Sequence, residues 1–195
     1  GFAGMLLSLM VFNKKLIAIV LIILLLSGVL VFTNPALNER FFSIFSLKNG
    51  NITRIYIWQA TLGMIKDHPI FGIGAGSFPL LYPDYASPEL KTDTIFAFAH
   101  NLFLQVAAEF GIVGFVIFLL ALCHVLYMAY SLAKTGNSLY QGLFASLIGV
   151  LIHQQVDIPI WRMDIGGAFW LFIGIIIGLY QLEYQNKKPS DLSFK

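Results

Sequence analysis

Long uncharged apolar runs constrain this chain more than any other feature of its sequence. The stretches 16–32 and 111–133 contain no Asp, Glu, Lys or Arg. Each approaches or exceeds the roughly 20 residues that a helix needs to cross a hydrocarbon core. In the whole chain 58% of residues are apolar and 11% are charged, and the mean hydropathy is +0.80. A soluble domain carries roughly 25% charged residues, so lipid is the expected solvent for much of the chain.

These runs predict an all-α fold, a polytopic helical bundle integral to the membrane. Backbone hydrogen bonds inside lipid close only within helices or closed barrels, and no alternating strand pattern repeats here. Because the chain begins with Gly1 and its first apolar stretch is short, we expect the later part of one longer membrane domain. The expected parts within 1–195 are a truncated span at about 1–12, an outer segment at 33–110, a tail at 183–195, and spans at about 16–32, 111–133, 138–156 and 164–182.

The lysines of the short loops and of the C-terminal tail fall on the opposite side of the predicted membrane from the arginines. When the spans alternate, one side carries Lys14, Lys15, Lys134, Lys187, Lys188 and Lys195. The positive-inside rule makes that side cytoplasmic. The outer segment and the loop 157–163 then face outward, and they hold all three arginines, Arg40, Arg54 and Arg162. An arginine fork suits phosphate, although snorkelling at the interface is an equal alternative for Arg40 and Arg162.

The remaining composition excludes several classes of function. A formal net charge of +2 without a basic stripe argues against a nucleic-acid partner, and membrane lipid is the expected one. Cys123 is the single cysteine, so there is no disulfide framework. The acidic residues form no Asp-x-Asp pair and the histidines no His-x-x-x-His pair. We therefore expect neither a metal nor a cofactor.

The outer segment is predicted to contain interfacial helices. Residues 51–67 have helical spacing and are followed by Pro69 as a stop signal, so a helix along the membrane surface is expected there. Residues 71–94 are rich in glycine and proline at their start and are expected to form a loop. Its glycines at 72, 74 and 76 superficially match a dinucleotide loop, but no strand precedes them. Residues 100–110 look helical and run into the next span.

Two places in the outward-facing part offer side chains suited to chemistry. His100, followed by Asn101, lies at the mouth of a predicted span. An imidazole can take a proton from a bound hydroxyl near neutral pH, and the alternative is a structural histidine at the membrane interface. Asp157 follows the span that contains His153. An ionisable residue at membrane level is a functional candidate by default.

A set of motifs in the first part of the chain resembles the O-antigen ligase family and its relatives among O-antigen polymerases. The family pattern is a histidine, a small polar residue, nine residues, a glycine, and a small or aromatic residue shortly after. The matching residues are Arg54 with Trp58, the run Met-Ile-Lys-Asp-His-Pro at 64–69, the glycines Gly72, Gly74 and Gly76, and His100-Asn101 with Gly111 and Gly114.

The resemblance implies a GT-C-like, multi-pass transferase of the bacterial inner membrane, with its active site facing the periplasm. Such an enzyme moves a polysaccharide from an undecaprenyl diphosphate-linked donor to a sugar hydroxyl of lipid A-core or another glycan acceptor, without a metal. Carried over to this chain, His100 becomes the general base, and Arg54 and Arg40 bind the donor diphosphate. The predicted supporting residues are Asn101, Asp157 and Arg162.

The resemblance also leaves alternatives and one departure. A polysaccharide polymerase would use a second carrier-linked glycan as acceptor, and a protein oligosaccharyltransferase would use a side-chain hydroxyl. A transporter module is disfavoured because no inverted repeat with broken helices is evident. The family carries a further arginine just before the stretch that begins here at Gly1. The chain is therefore expected to lack one donor ligand and to be inactive alone.

Overall fold

The computed structural model describes residues 14–45, 51–88, 96–158 and 163–185. This part of the chain forms helices joined by turns and contains no strand, which confirms the all-α prediction. In chain order the helices are α1 (Lys14–Thr33), α2 (Pro35–Phe45), α3 (Asn51–Asp67), α4 (Phe78–Tyr85), α5 (Leu102–Ala133), α6 (Ser138–His153) and α7 (Met163–Gln185).

Two of the described helices are long and apolar enough to cross a membrane. They are α5, over Leu102–Ala133, and α7, over Gly166–Tyr184. Only 6% of the apolar window in the first and 17% in the second is buried inside the described part of the protein, whereas the core helix of a soluble protein is mostly buried. Helix α6 is apolar but has 16 residues. The assignment of α1 and α6 as spans remains a prediction.

The described residues belong to two compact units, and the candidate site lies in one of them. Among the described residues, this site unit comprises 14–45, 51–88, 96–118 and the turn 153–158, and the other unit comprises 119–152 and 163–185. In the second unit, side chains of α5, α6 and α7 form an apolar core that includes Leu132, Leu147 and Ile176. The site unit is discontinuous in sequence, because it combines the turn 153–158 with residues that precede position 119.

The core of the site unit packs α3 against α4 and the start of α5. Ile57, Ala60 and Met64 recur at helical spacing on one face of α3, and all three are buried. They meet Phe78 and Tyr82 of α4, whose rings stack with centroids 5.8 Å apart. This packing holds α3 beside the start of α5, where the histidine predicted to be catalytic lies.

Helix α4 lies within 71–94, where the sequence predicted a loop, so that prediction is wrong for residues 78–85. Pro79 stands in the first turn of α4, where a helix needs no amide proton and a fixed φ is favourable. Phe78 and Tyr82, four residues apart, turn their side chains into the core. Tertiary burial of two aromatic rings thus stabilises a helix that is disfavoured by Pro83 in its interior and by the glycines before it.

A break in α5 is repaired by the connector that follows α3. Gly111 has a φ of 63° and a ψ of −167°, which interrupts the helix. The amides of Ile112 and Val113 donate to the carbonyls of Pro69 and Ile70 instead of to their own helix. The released carbonyls of residues 108 and 109 accept from the amides of residues 73 and 74, at 2.9 and 3.0 Å. These four hydrogen bonds pair the amides and carbonyls that the break releases, and they join the connector to α5.

Candidate functional site

His100 has an unusual backbone conformation just before α5. Its φ is 51°, and it is the one non-glycine residue with a positive φ in the part of the chain that the structure describes. A residue with a side chain pays of order 1–3 kcal/mol in this sparsely populated region and stays there only when its surroundings enforce it. The neighbours of His100 therefore decide how its imidazole is presented.

Hydrogen bonds hold the residue before His100 from two directions. The amide of Ala99 donates to Oε1 of Gln105 on α5, at 2.7 Å. The carbonyl of Ala99 accepts a hydrogen bond from Nε1 of Trp58 on α3, at 3.0 Å. Ala99 is fully buried. Both of its backbone polar groups are thus satisfied by side chains and are shielded from solvent.

Asn101 joins the start of α5 to the turn 154–157. Its Oδ1 accepts from the amide of Leu104 at 3.1 Å, which caps the free amides of the helix start. Its Nδ2 donates to the carbonyl of Gln155 at 3.1 Å. The amide of Leu102 donates to the carbonyl of Gln154 at 2.9 Å. This combination brings the segment after α6 alongside the residues that enter α5.

His100 and Asp157 meet as a result. Nδ1 of His100 lies 3.1 Å from Oδ1 of Asp157. Their side chains are 31% and 50% exposed, so a substrate can reach the pair. An ionised carboxylate only accepts hydrogen bonds, so Nδ1 carries the proton and Nε2 of the neutral ring presents a lone pair. A substrate hydroxyl beside Nε2 could give its proton to this nitrogen while Nδ1, on the other side of the ring, stays hydrogen-bonded to Asp157.

The surroundings of Asp157 favour its ionised form. Burial raises the pKa of this carboxyl. The hydrogen bond from His100, the bond from the backbone amide of Ile158, and the positive charge that His100 and His153 carry when protonated lower it by more, so the pKa lies below its ordinary value of 3.8. The bond from Ile158 to Oδ1 is 2.9 Å long. At neutral pH Asp157 is therefore a carboxylate that accepts from the imidazole.

The structure relates the three predicted arginines to this pair in different ways. Arg54 is half-buried on α3, one turn before Trp58, whose indole holds Ala99. The hydrogen bonds that bring His100 and Asp157 together come from α3, α5 and the turn 154–157. Arg40 lies instead on α2, where its side chain is exposed. Arg162 lies outside the described residues.

Three polar residues of the site were not among the predicted ones. Trp58 was noticed only as part of a motif, whereas Gln105 and Gln154, both buried, were missed. Gln105 and Glu109 stand four residues apart in an otherwise apolar helix, and both are buried. That spacing puts two polar side chains on one face of α5 and was the available signal. Gln154 has no comparable signal, because its backbone carbonyl makes the contact.

The acidic and histidine side chains show no arrangement suited to a metal ion in the part of the chain that the structure describes. No group of three or more His, Cys, Asp or Glu residues there is placed to share an ion. Oδ1 of Asp157 accepts hydrogen bonds from the His100 ring and the Ile158 amide. The described chemistry is that of a histidine backed by a carboxylate.

Comparison with known proteins gives one informative result. A protein-family model described as O-antigen ligase matches residues 1–119, which is more than half of the 195-residue chain. The match includes Arg40, Arg54, His100 and Asn101 and ends before Asp157. Comparison with curated proteins yields no match.

Proposed function

Since this chain belongs to the O-antigen ligase family, we propose that it is part of a glycosyltransferase that transfers a polysaccharide from undecaprenyl diphosphate to a sugar hydroxyl of lipid A-core. The transfer takes place on the outer face of the bacterial inner membrane. Family membership supports ligase- or polymerase-type chemistry on lipid-linked glycans in general. The specific carrier, acceptor and membrane face are parts of the proposal.

The pairing of His100 with Asp157 is the observation that carries the proposal. A hydroxyl is a weak nucleophile until a base takes its proton, and a positioned base contributes roughly a hundred- to ten-thousandfold to the rate. Nε2 of His100 is the free acceptor of an exposed imidazole whose Nδ1 is held 3.1 Å from Asp157. When Nε2 takes the proton, the adjacent carboxylate stabilises the positive charge on the ring.

The proposed reaction is a single displacement at the anomeric carbon of the donor. The acceptor oxygen forms a bond to that carbon while its proton moves to Nε2 of His100. The bond between the anomeric carbon and the diphosphate oxygen breaks, and its electron pair stays on the diphosphate. This leaving group departs without being protonated if cations stabilise its added charge. The proton on His100 then returns to solvent.

Arg54 is the proposed partner of the donor diphosphate. Arg54 lies on α3 one turn before Trp58. Trp58 in turn donates a hydrogen bond to the carbonyl of Ala99, the residue before His100, at 3.0 Å. The planar guanidinium offers paired donors to phosphate oxygens. We propose Arg40 and Arg162 as further cationic contacts and Asn101 as the residue that fixes the entry of α5. No metal ion is needed in this scheme.

A transfer assay with the full-length protein in lipid tests the proposed base. His100→Ala is expected to lower kcat by about two to four orders of magnitude. His68→Ala serves as the matched control because His68 is exposed in the same outer segment and should leave the rate unchanged. An undiminished rate in His100→Ala would contradict the assignment of His100 as the base.

The same assay separates the ligase from its relatives. Carrier-linked glycan is offered with lipid A-core, with a second carrier-linked glycan, or with a protein acceptor. Product on lipid A-core supports the ligase, and chain extension on the carrier would instead show a polymerase. Glycan on a protein hydroxyl would show an oligosaccharyltransferase. The family match alone does not distinguish these acceptors, since they share the donor half of the reaction.

A further inference from the structure

The residues on both sides of His100 are anchored to other parts of the site unit, Ala99 through its backbone and Asn101 through its side chain. On one side, Ala99 donates to Gln105 at 2.7 Å and accepts from Trp58 at 3.0 Å. On the other side, Asn101 donates through Nδ2 to the carbonyl of Gln155 at 3.1 Å. His100 itself stands between these anchors with a φ of 51°. Rotation about its backbone is thus restricted from both ends.

This conformation determines where the imidazole points. The Cβ atom leaves the backbone in a direction set by φ, so relaxation of His100 to a negative φ would turn the ring relative to its neighbours. A positive φ at a residue with a side chain persists only where the surroundings enforce it. The contact of Nδ1 with Asp157, at 3.1 Å, therefore depends on the anchors that keep Ala99 in place.

We infer that Trp58 and Gln105 are positioning residues for His100, which hold the Ala99 peptide so that Nδ1 faces Asp157 and Nε2 faces the acceptor hydroxyl. The inference rests on the proposed function of His100 as the base. Neither residue touches the reacting atoms, and each acts through Ala99. They join the site from two helices, α3 and α5, and Trp58 is 41 residues away from Ala99 in sequence.

The environment of each side chain distinguishes this role from ordinary packing. Gln105 is fully buried, and its Nε2 has no hydrogen-bond partner among the residues that the structure describes. A buried amide with one unpaired end is less favourable than a leucine of similar size, so the bond to Ala99 is what glutamine provides at this position. Trp58 is only partly buried. Its contact with Ala99 is the hydrogen bond from its indole N–H.

Kinetics of two variants of the full-length protein test the inference. Trp58→Phe keeps an aromatic ring but removes the donor, and Gln105→Leu keeps the volume but removes the acceptor. We expect each to lower kcat at least tenfold while the KM values for donor and acceptor change less than twofold, since misplacing a base affects the chemical step rather than binding. Carrier-linked glycan and lipid A-core are the substrates.

Thr61→Val is the matched control for these variants. Thr61 is fully buried on α3, and its hydroxyl donates to the Ile57 carbonyl of the same helix at 2.7 Å. The control therefore loses one buried hydrogen bond from α3 that does not reach Ala99. Its kcat should stay within twofold of the wild-type value. An equal fall in kcat and melting temperature in Thr61→Val and Trp58→Phe would indicate general destabilisation and overturn the positioning role.

A substrate-free measurement keeps this inference separate from the proposed function. With ¹⁵N-labelled histidine side chains, nuclear magnetic resonance should show the neutral ring of His100 protonated on Nδ1 in the wild type, and His100→Ala assigns the signal. Trp58→Phe and Gln105→Leu should give a mixture of tautomers. Wild-type kcat and a single tautomer in both variants would overturn the inference. Full activity in His100→Ala would remove the proposed base, whereas the tautomer signal would still test the anchors.

Discussion

Asp157 meets a residue from a distant part of the chain. It is 57 residues away from His100, yet the two side chains meet at 3.1 Å. Its Oδ1 also accepts from the amide of Ile158 at 2.9 Å. These two bonds hold the carboxylate beside the imidazole, and they explain why the pKa of Asp157 lies below its ordinary value despite burial, which would raise it.

Asp157 should therefore make stability depend on pH in acidic solution. A carboxyl whose folded-state pKa is lowered stabilises the protein above its unfolded pKa of 3.8, and that contribution is lost as the pH falls through the lower folded value. We expect the melting temperature of the wild type to exceed that of Asp157→Asn above this pH. The two values should converge at lower pH. Partial exposure of the side chain keeps the difference small.

Thermal unfolding in detergent across this pH range provides the measurement. Asp84→Asn is a suitable control because Asp84 is exposed on α4, and it should follow the wild type at every pH. A constant gap between wild type and Asp157→Asn over the whole range would show that ionisation of Asp157 does not contribute to stability.

At the scale of elements, the contact between the α3–α4 connector and α5 shapes the site unit. Gly72 and Gly111 stand where the two backbones approach most closely. A Cβ atom on Gly111 would overlap the carbonyl of Ile70, and one on Gly72 would lie 2.5 Å from the carbonyl of Glu109. Because both neighbours are backbone, neither can move aside cheaply. Gly72 and Gly111 thus permit the close packing of the connector against the helix.

Gly111→Ala and Gly76→Ala separate steric overlap from backbone strain. Both glycines have a positive φ, 63° and 72°, but a Cβ atom on Gly76 would meet no described residue within 4 Å. Gly76→Ala should cost about 1 kcal/mol from its conformation alone. Gly111→Ala adds overpacking and should cost about 2–4 kcal/mol. Denaturant unfolding measures both, and equal losses would contradict the steric explanation.

At the scale of the whole molecule, composition and charge place the chain in a membrane. The chain belongs to a family of membrane proteins, and α5 is apolar over a length that suffices for a crossing. His100 precedes α5, and Lys134 follows it directly. The lysine side is the predicted cytoplasmic one. The two ends of α5 should therefore be accessible from opposite sides of the membrane.

Cysteine accessibility in intact cells tests this orientation. In a Cys123→Ser background, a cysteine at exposed Ala97 should react with a membrane-impermeant maleimide applied from outside. A cysteine at exposed Lys134 should react only after the membrane is opened. Labelling of both positions in sealed cells would contradict a crossing by α5. Labelling of Lys134→Cys alone would reverse the orientation and place His100 on the cytoplasmic side.

The sequence by itself determined the helical class, and it identified His100, Asn101 and Asp157 as chemical candidates. Helical spacing and residue chemistry are local properties, so the helix at Asn51–Asp67 and the helical start of α5 could be predicted from them. Helix α4 could not, because burial of Phe78 and Tyr82 against α3 outweighs its local glycine and proline signals.

Only the tertiary structure decided which candidates meet. The contact of His100 with Asp157 and the anchoring of Ala99 by Trp58 and Gln105 join residues from separate helices. No periodicity along the chain encodes such meetings, because they follow from how α3, α5 and the turn 154–157 pack. The runs without charge determined the solvent of this protein, while the long-range hydrogen bonds that its packing permits determined the geometry of its candidate site.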